Sequence, residues 1–408
     1  MKKRYFILLL LFGLICSLSV VSASENISLS NTTGTGDMGV LQDNAPVVVA
    51  NNNTSSSDNS TTDDNGASFK NDTSDNSTPT VNDSPRVDKV ITKHVTSTYG
   101  TVAKYTVKVL DQFGKPMPGK AVAVTLNKKT IERLTDENGM ATFTLNCQAG
   151  NYIINYQVDN VSGNNSYKVK NKISLSILKW GLKGDVSKVA LIKKNMPNNV
   201  WVKKAVAATK NGIPLLTFTG GKGKVVFMTA GVHGNELSSI VAAMKMISHL
   251  TDNPIKGTVY IMPFVNVKAI SKKVRFTDKD YNRIASKSGT IPNKIVNLVV
   301  KYKCDSYGDF HTTKPGGVPG KNIVMGSKGP ASKSATLTNY IAKSCKVNQK
   351  VYKYAGEKYP GSLFEMVNKK KITSVICEVM IKHNTVSAKT INTSYNMMKY
   401  FLKFNSII

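Results

Sequence analysis

Arginine is nearly absent from this 408-residue chain: only Arg4, Arg86, Arg133, Arg275 and Arg283 occur among 55 basic residues. Cysteine is sparse and unpaired in spacing. Cys147, Cys304, Cys345 and Cys377 follow Cys16 with no CxxC, which excludes a disulfide framework and a Cys-rich zinc site. A single Cys304–Cys345 bridge stays open. Long apolar runs are missing after the first two dozen residues, so no later segment reaches the roughly 18 apolar residues that span a bilayer. Helix-turn-helix, RRM and zinc-finger patterns are also missing, and with an export-type N-terminus this argues against nucleic acid despite a net charge of +30.

The charge is unevenly spread. Residues 24–85 hold one basic and nine acidic residues, whereas residues 173–408 hold 38 basic and ten acidic. A lysine-rich surface attracts polyanions such as an anionic wall polymer or a carboxylate-rich peptide; a solvated surface with a compositional lysine bias is the competing reading.

The chain opens Met1-Lys2-Lys3-Arg4, continues apolar to about Val20 and exits through Val21-Ser22-Ala23. This basic start, apolar core and small-residue exit predict a secretory signal over 1–23, cleaved after Ala23 or retained as the sole membrane anchor. Residues 24–85 are Asn, Ser, Thr, Asp and Gly with sequons at Asn26, Asn31, Asn53, Asn59, Asn71 and Asn76. Such a composition buries too little apolar surface to offset chain entropy and predicts a disordered tether. Residues 86–172 change character. Alternating segments at 102–110, 121–126, 140–145 and 153–158 are separated by turn residues such as Asp111–Pro116 and Thr135–Gly139, a β-sandwich pattern. Residues 173–408 alternate strands and helices, with strands expected at 224–231, 257–265, 304–310 and 373–379. Helices are expected at 237–250, 293–302, 331–344 and 387–404. The order implies an α/β domain with a mostly parallel sheet covered by helices.

Four segments of that last domain carry chemistry. Gly231-Val232-His233-Gly234-Asn235-Glu236 follows the apolar run 225–230 and places an imidazole and a carboxylate at a strand end, where α/β folds expose reactive groups. Two such ligands and an open position are how catalytic zinc is held. Arg275 and Arg283 are the only arginines in a domain that otherwise uses lysine; a planar guanidinium grips a carboxylate or an oxyanion with two parallel bonds. Plain surface arginines are the alternative. Asp309-Phe310-His311 ends another expected strand, offering His311 as a third ligand and Asp309 as the group that orients it. Glu378 lies inside the apolar strand 374–380, where desolvation raises a carboxyl pKa toward the range of a general base.

In this order the four segments resemble the succinylglutamate desuccinylase/aspartoacylase branch of the zinc carboxypeptidase superfamily: H-G-x-E on a strand-to-helix turn, D-x-N-R, D-x-H and a late-strand Glu, over about residues 180–405. The resemblance implies one Zn2+ per chain held by His233, Glu236 and His311, with Glu378 as general base and acid. It further implies Asn282 and Arg283 as a clamp on the substrate carboxylate, and Arg275 polarising the scissile carbonyl. Tyr359 is a candidate for the assisting tyrosine of carboxypeptidases. The sandwich segment, from Asp111 to Tyr152, resembles bacterial Ig-like domains of adhesins, and its expected role is that of a spacer or wall-contacting module. The lysine- and asparagine-rich exported chain with this domain pair resembles surface proteins of methanogenic archaea, whose walls contain peptide-crosslinked pseudomurein. The expected activity is therefore amide hydrolysis on a carboxylate-bearing peptide of the cell wall. A deacylase of N-acyl amino acids and a non-catalytic surface-binding protein are the rivals.

Overall fold

The computed structural model of the chain describes residues 47–50 and 84–408; the expected signal and most of the expected tether lie outside the described residues. Nine strands form the N-terminal part: β1 (Val47–Ala50), β2 (Val87–Thr92), β3 (Val95–Thr98), β4 (Ala103–Asp111), β5 (Ala121–Leu126), β6 (Lys129–Leu134), β7 (Met140–Leu145), β8 (Gly150–Val158) and β9 (Val161–Lys170). They make two sheets, ordered β1-β2-β4-β7 and β3-β9-β8-β5-β6. Alternation explains the sandwich. Tyr105, Val107, Val109, Val122, Val124, Phe143, Leu145, Ile154, Tyr156, Tyr167 and Val169 point inward and form one apolar cluster, while the residues between them face water. The turns are fastened by side chains of their own: Asp111 Oδ1 accepts from the Phe113 and Lys115 amides, and Asp136 Oδ1 from those of Asn138 and Met140.

The second part contains β10 (Lys172–Leu178), β11 (Ile213–Thr219), β12 (Val225–Ala230), β13 (Thr258–Met262), β14 (Ser306–Thr313), β15 (Ile323–Ser327), β16 (Asn348–Tyr352) and β17 (Thr373–Met380). Its helices are α1 (Ala190–Lys194), α2 (Val200–Ala208), α3 (Leu237–Asp252), α4 (Val267–Lys272), α5 (Ile291–Lys301), α6 (Lys333–Cys345), α7 (Leu363–Lys369) and α8 (Ala388–Phe404). One eight-stranded sheet results, ordered β10-β11-β13-β12-β14-β17-β15-β16. The strands from β13 through β12 and β14 to β17 run parallel, as does the β15–β16 pair; β10–β11, β11–β13 and β15–β17 are antiparallel. The sheet is thus mostly parallel with antiparallel additions at both sides. β14 is buried along its whole length, as a central strand covered on both faces must be.

The two parts are joined without a linker. β9 passes through buried Asn171 into β10, and the Asn171 amide donates to Leu250 O (2.7 Å) and Asn253 O (2.8 Å) while accepting from the Ile255 amide (3.0 Å). All four cysteines of the described residues are free thiols, so no Cys304–Cys345 bridge forms. Among the described residues no helix is long and apolar enough to cross a membrane.

Candidate metal centre

Register brings the site together. Thr229 of β12 pairs with Asp309 of β14, and His311 pairs with Glu378 of β17. In a strand neighbouring side chains alternate faces. Phe310 packs edge-on against Phe401 of α8, with ring centroids 6.2 Å apart, so Asp309 and His311 point to the opposite face. Glu378 follows two residues after Ile376, which packs with Phe364 of α7 on that same face. The third contributor is the loop 231–236 between β12 and α3. Gly231 has φ +71°, and a Cβ at Gly234 would lie 2.1 Å from the carbonyl carbon of Ala269, so the loop rests directly on α4. That close seat turns His233 and Glu236 toward His311.

His233 Nδ1 lies 2.7 Å from Glu236 Oε1, and His311 Nδ1 lies 2.8 Å from Glu236 Oε2, with all three side chains buried. The outer nitrogens are held as well. His233 Nε2 is 2.9 Å from Asp280 Oδ1 and His311 Nε2 is 2.9 Å from Asp309 Oδ2. Asp309 is fixed by the Thr229 hydroxyl at 2.7 Å, and Glu236 Oε2 also accepts from the Thr312 amide at 2.9 Å.

This donor set fits a divalent cation. Each imidazole that gives its Nε2 proton to a carboxylate turns the Nδ1 lone pair on Glu236, lone pair against lone pair. Only a proton on each Nδ1 or a cation among the three groups relieves that repulsion. Glu236, Asp280 and Asp309 bring three negative charges against one guanidinium, Arg275, so the remainder matches a 2+ ion. A carboxylate behind each imidazole is the usual support of a metal-bound histidine. One ligand atom from each of His233, Glu236 and His311 lies within 4.8 Å of the others.

Without a cation, protons take the same places. Burial opposes charging His233 and His311, yet Glu236 and Asp280 raise the first, and Asp309 and Glu236 raise the second well above the ordinary imidazole value. Burial would raise Glu236, but the two imidazoles hold it well below the usual carboxylate range. Asp280 is lowered too: its hydrogen bond and charge interaction with His233, and then Arg275, outweigh its burial.

Glu378 behaves differently. The residue as a whole is half-buried, but its Oε2 is sealed from solvent and has no hydrogen-bond partner. Burial pushes its pKa up to about 8, against the pull of His311 and with the added repulsion of Glu236. Arg275, 39% exposed, donates from Nη1 to Glu236 Oε1 (3.1 Å) and approaches Asp280 Oδ2 from Nη2 (3.5 Å). Asn282 is buried and fully engaged: Oδ1 accepts from the Leu363 amide (3.1 Å), and Nδ2 lies 3.0 Å from His311 Nε2 and 3.4 Å from Asp309 Oδ2. Arg283 is exposed, donates to Asn282 O at 2.6 Å, and lies over the Tyr359 ring at 5.6 Å. Tyr359 also senses Glu378: burial, then Tyr352 and Glu378, raise its phenol above the usual range. Eight of the nine candidate residues therefore gather at the carboxyl ends of β12, β14 and β17 or in the loops beside them, and Tyr359 joins them through Arg283.

Two residues of this cluster were not singled out from sequence. Asp280 was visible in Asp280-Tyr281-Asn282-Arg283, but only the short 3-10 turn Tyr281–Arg283, capped by the Asp280 side chain, aims its carboxylate at His233. His383 follows β17 and reaches both Asn235 and Thr312 O at 3.2 Å. His249 lies elsewhere, at the last turn of α3 beside Asn253 and Tyr395.

Fold and centre together define an α/β domain that gathers at strand ends a His-Glu-His set with the donor atoms to hold a cation. Residues 222–314 match the family model for the succinylglutamate desuccinylase/aspartoacylase catalytic domain, and residues 100–171 match macroglobulin domain MG4. The first match spans the stretch that holds both His233 and His311; Glu378 lies beyond it. No curated protein matches the chain. Among solved structures the chain is similar to the product-bound ectoine utilization protein EutE (DoeB) from Ruegeria pomeroyi, at 16% identity and TM-score 0.41, covering 49% of this chain and 64% of that one. It is similar to an aspartoacylase family protein from Mesorhizobium loti, at 16% identity and TM-score 0.41, covering 58% of this chain and 68% of that one. A third is the cell shape determinant protein Csd4 from Helicobacter pylori, at 12% identity and TM-score 0.39, covering 59% of this chain and 55% of that one.

Proposed function

We propose that the C-terminal domain is a zinc-dependent amide hydrolase and that the protein acts outside the cell on a carboxylate-bearing peptide, the peptide of a cell wall in particular. The observation that carries the reading is the pair of imidazoles turned on one glutamate, each backed by a carboxylate, beside an unpartnered Glu378. His233, Glu236 and His311 would hold the zinc. Bound there, the ion supplies Lewis-acid polarisation of a carbonyl and acidifies water.

The chain's own groups do the rest. Glu378 in its carboxylate form, which a cation bound beside it would favour, takes a proton from the attacking water on its free Oε2 and returns it to the leaving amine. Its elevated pKa makes it a stronger base than an ordinary carboxylate. Arg275 spends two N–H groups on Glu236 and Asp280 and keeps others at the exposed rim, where they meet the developing oxyanion. Arg283, exposed and stacked on Tyr359, grips a free carboxylate of the substrate, while Asn282 braces His311 and Asp309 behind it. A carboxylate grip next to the scissile bond favours trimming of chain ends over internal cleavage.

Export rests on the N-terminal sequence, 1–23, and a wall substrate on the lysine excess of residues 173–408 together with the attached sandwich. The test is product analysis. Purified protein with zinc is incubated with isolated wall material and, separately, with N-succinyl, N-acetyl and other N-acyl amino acids. Release of amino acids from walls supports the reading. Turnover of the small amides alone gives a deacylase, and binding to walls without turnover of either gives a surface-binding protein.

A further inference from the structure

The segment after β17 crosses the metal centre from outside. Ile381 N–H donates to Thr313 O at 2.9 Å, prolonging the β14–β17 pairing past the strand ends. His383 comes next. Its Nε2 lies 3.2 Å from Thr312 O, so Nε2 carries the proton and donates; Nδ1 then accepts from Asn235 Nδ2, also at 3.2 Å. Asn384, in the left-handed region at φ +58°, donates from its amide to Asn235 O at 2.8 Å and from Nδ2 to Lys273 O at 3.0 Å. Two consecutive residues thus tie together three of the segments that build the site: the His233–Glu236 loop, the His311–Thr312 strand end and the turn before Arg275.

Asn235 is the point at which this matters. It lies between His233 and Glu236 in a loop with no regular backbone pairing, and its Oδ1 is buried without a partner. His383 is the only hydrogen-bond partner of its side chain among the described residues. Thr312 is the second point, because its amide holds Glu236 Oε2 while its carbonyl receives His383. Removing the imidazole would leave the half-buried Asn235 side chain without its partner and loosen the link between the two ends of the ligand set.

We propose that His383 is a positioning residue that preorganises the metal centre by clamping Asn235 to Thr312. Its hydrogen bonds go to Asn235 and Thr312 and to no metal ligand, so it acts through the two backbone stretches that carry His233, Glu236 and His311. A ligand set ordered before binding does not lose conformational freedom when the ion arrives, so the clamp shows itself in metal affinity.

The inference rests on the metal-centre reading, and the test separates the two. The full chain, its His383→Ala variant and its His383→Gln variant are stripped of metal and titrated with zinc against a competing fluorescent chelator. Thermal midpoints of the metal-free forms are measured alongside. A glutamine can accept from Asn235 and donate to Thr312 as the imidazole does. The expected result is zinc affinity about tenfold or more weaker in His383→Ala, and largely restored in His383→Gln. Equal affinity in wild type and His383→Ala overturns the proposal while leaving the metal centre standing. Zinc-free wild type after titration overturns the metal centre itself. If His383→Ala also lowers the metal-free midpoint, His383→Gln decides: recovered affinity supports the clamp, and recovered stability with affinity still lost overturns it.

Discussion

His311 and Glu378 are register partners on adjacent parallel strands, so in the metal-free protein an imidazole whose pKa two carboxylates raise and a carboxyl whose pKa burial raises stand side by side on one face of the sheet. Both pKa values are raised: that of Glu378 by burial, and that of His311 by Asp309 and Glu236, which outweigh its burial. In the proposed reaction His311 would hold the ion and Glu378 would carry the proton.

Glu378→Gln tests that division of labour. The amide keeps the shape and lacks the proton exchange. Zinc content is expected to stay at the wild-type level while turnover falls roughly a hundredfold or more, the usual scale for a lost general base. Turnover within a few-fold of wild type would remove Glu378 from the chemistry.

The same residue predicts a pH effect on stability. Glu378 has a folded pKa of about 8 against an ordinary value of 4.5. Between those values the folded metal-free protein retains a proton that the unfolded chain has released, so its stability falls as pH rises through that window. Urea midpoints of the metal-free protein, followed from about pH 4.5 to 8, should decline more steeply in wild type than in Glu378→Gln. Parallel curves would show that the carboxyl is not held neutral.

Asp280→Asn and Asp309→Asn probe the carboxylates behind the imidazoles. Each substitution exchanges a charged acceptor at 2.9 Å from a ring nitrogen for a neutral amide. Zinc affinity is expected to fall about 10- to 100-fold in either variant. Asp280→Asn also loosens Arg275, so it should lower turnover at saturating zinc more than Asp309→Asn does. Zinc titration followed by rate measurement separates the two effects.

Arg283→Lys addresses substrate grip. A lysine keeps the charge but loses the planar fork and the stacking on Tyr359. KM for a substrate with a free carboxylate should rise about tenfold or more with a smaller change in kcat, and an amidated substrate should feel little difference. An unchanged KM would place the carboxylate elsewhere.

Much of this site was legible because its parts sit at strand ends that local pattern reveals. The apolar runs before His233 and around Glu378 and the alternation at Asp309–His311 announced both the strands and the polar positions at their ends. Four of the sandwich strands, β4, β5, β7 and β8, emerged from alternation and the turn residues between them, while β1, β2, β3, β6 and β9 did not. What escaped was long-range. Nothing near Asp280 indicates that a 3-10 turn delivers it to an imidazole 47 positions earlier, and His383 follows a strand in a short polar loop whose partners lie 148 and 71 positions away. The antiparallel strands β10, β11 and β15 were missed for a related reason. Their place beside the parallel core depends on edges left by other strands, a tertiary circumstance that periodicity does not encode.

The most direct measurement is the zinc content of the purified full chain by mass spectrometry, alongside Glu236→Ala, which removes the carboxylate shared by both imidazoles. The account predicts about one zinc per wild-type chain and close to none in the variant. Equal zinc in the two proteins, or a wild type that stays metal-free when zinc is supplied, would contradict it.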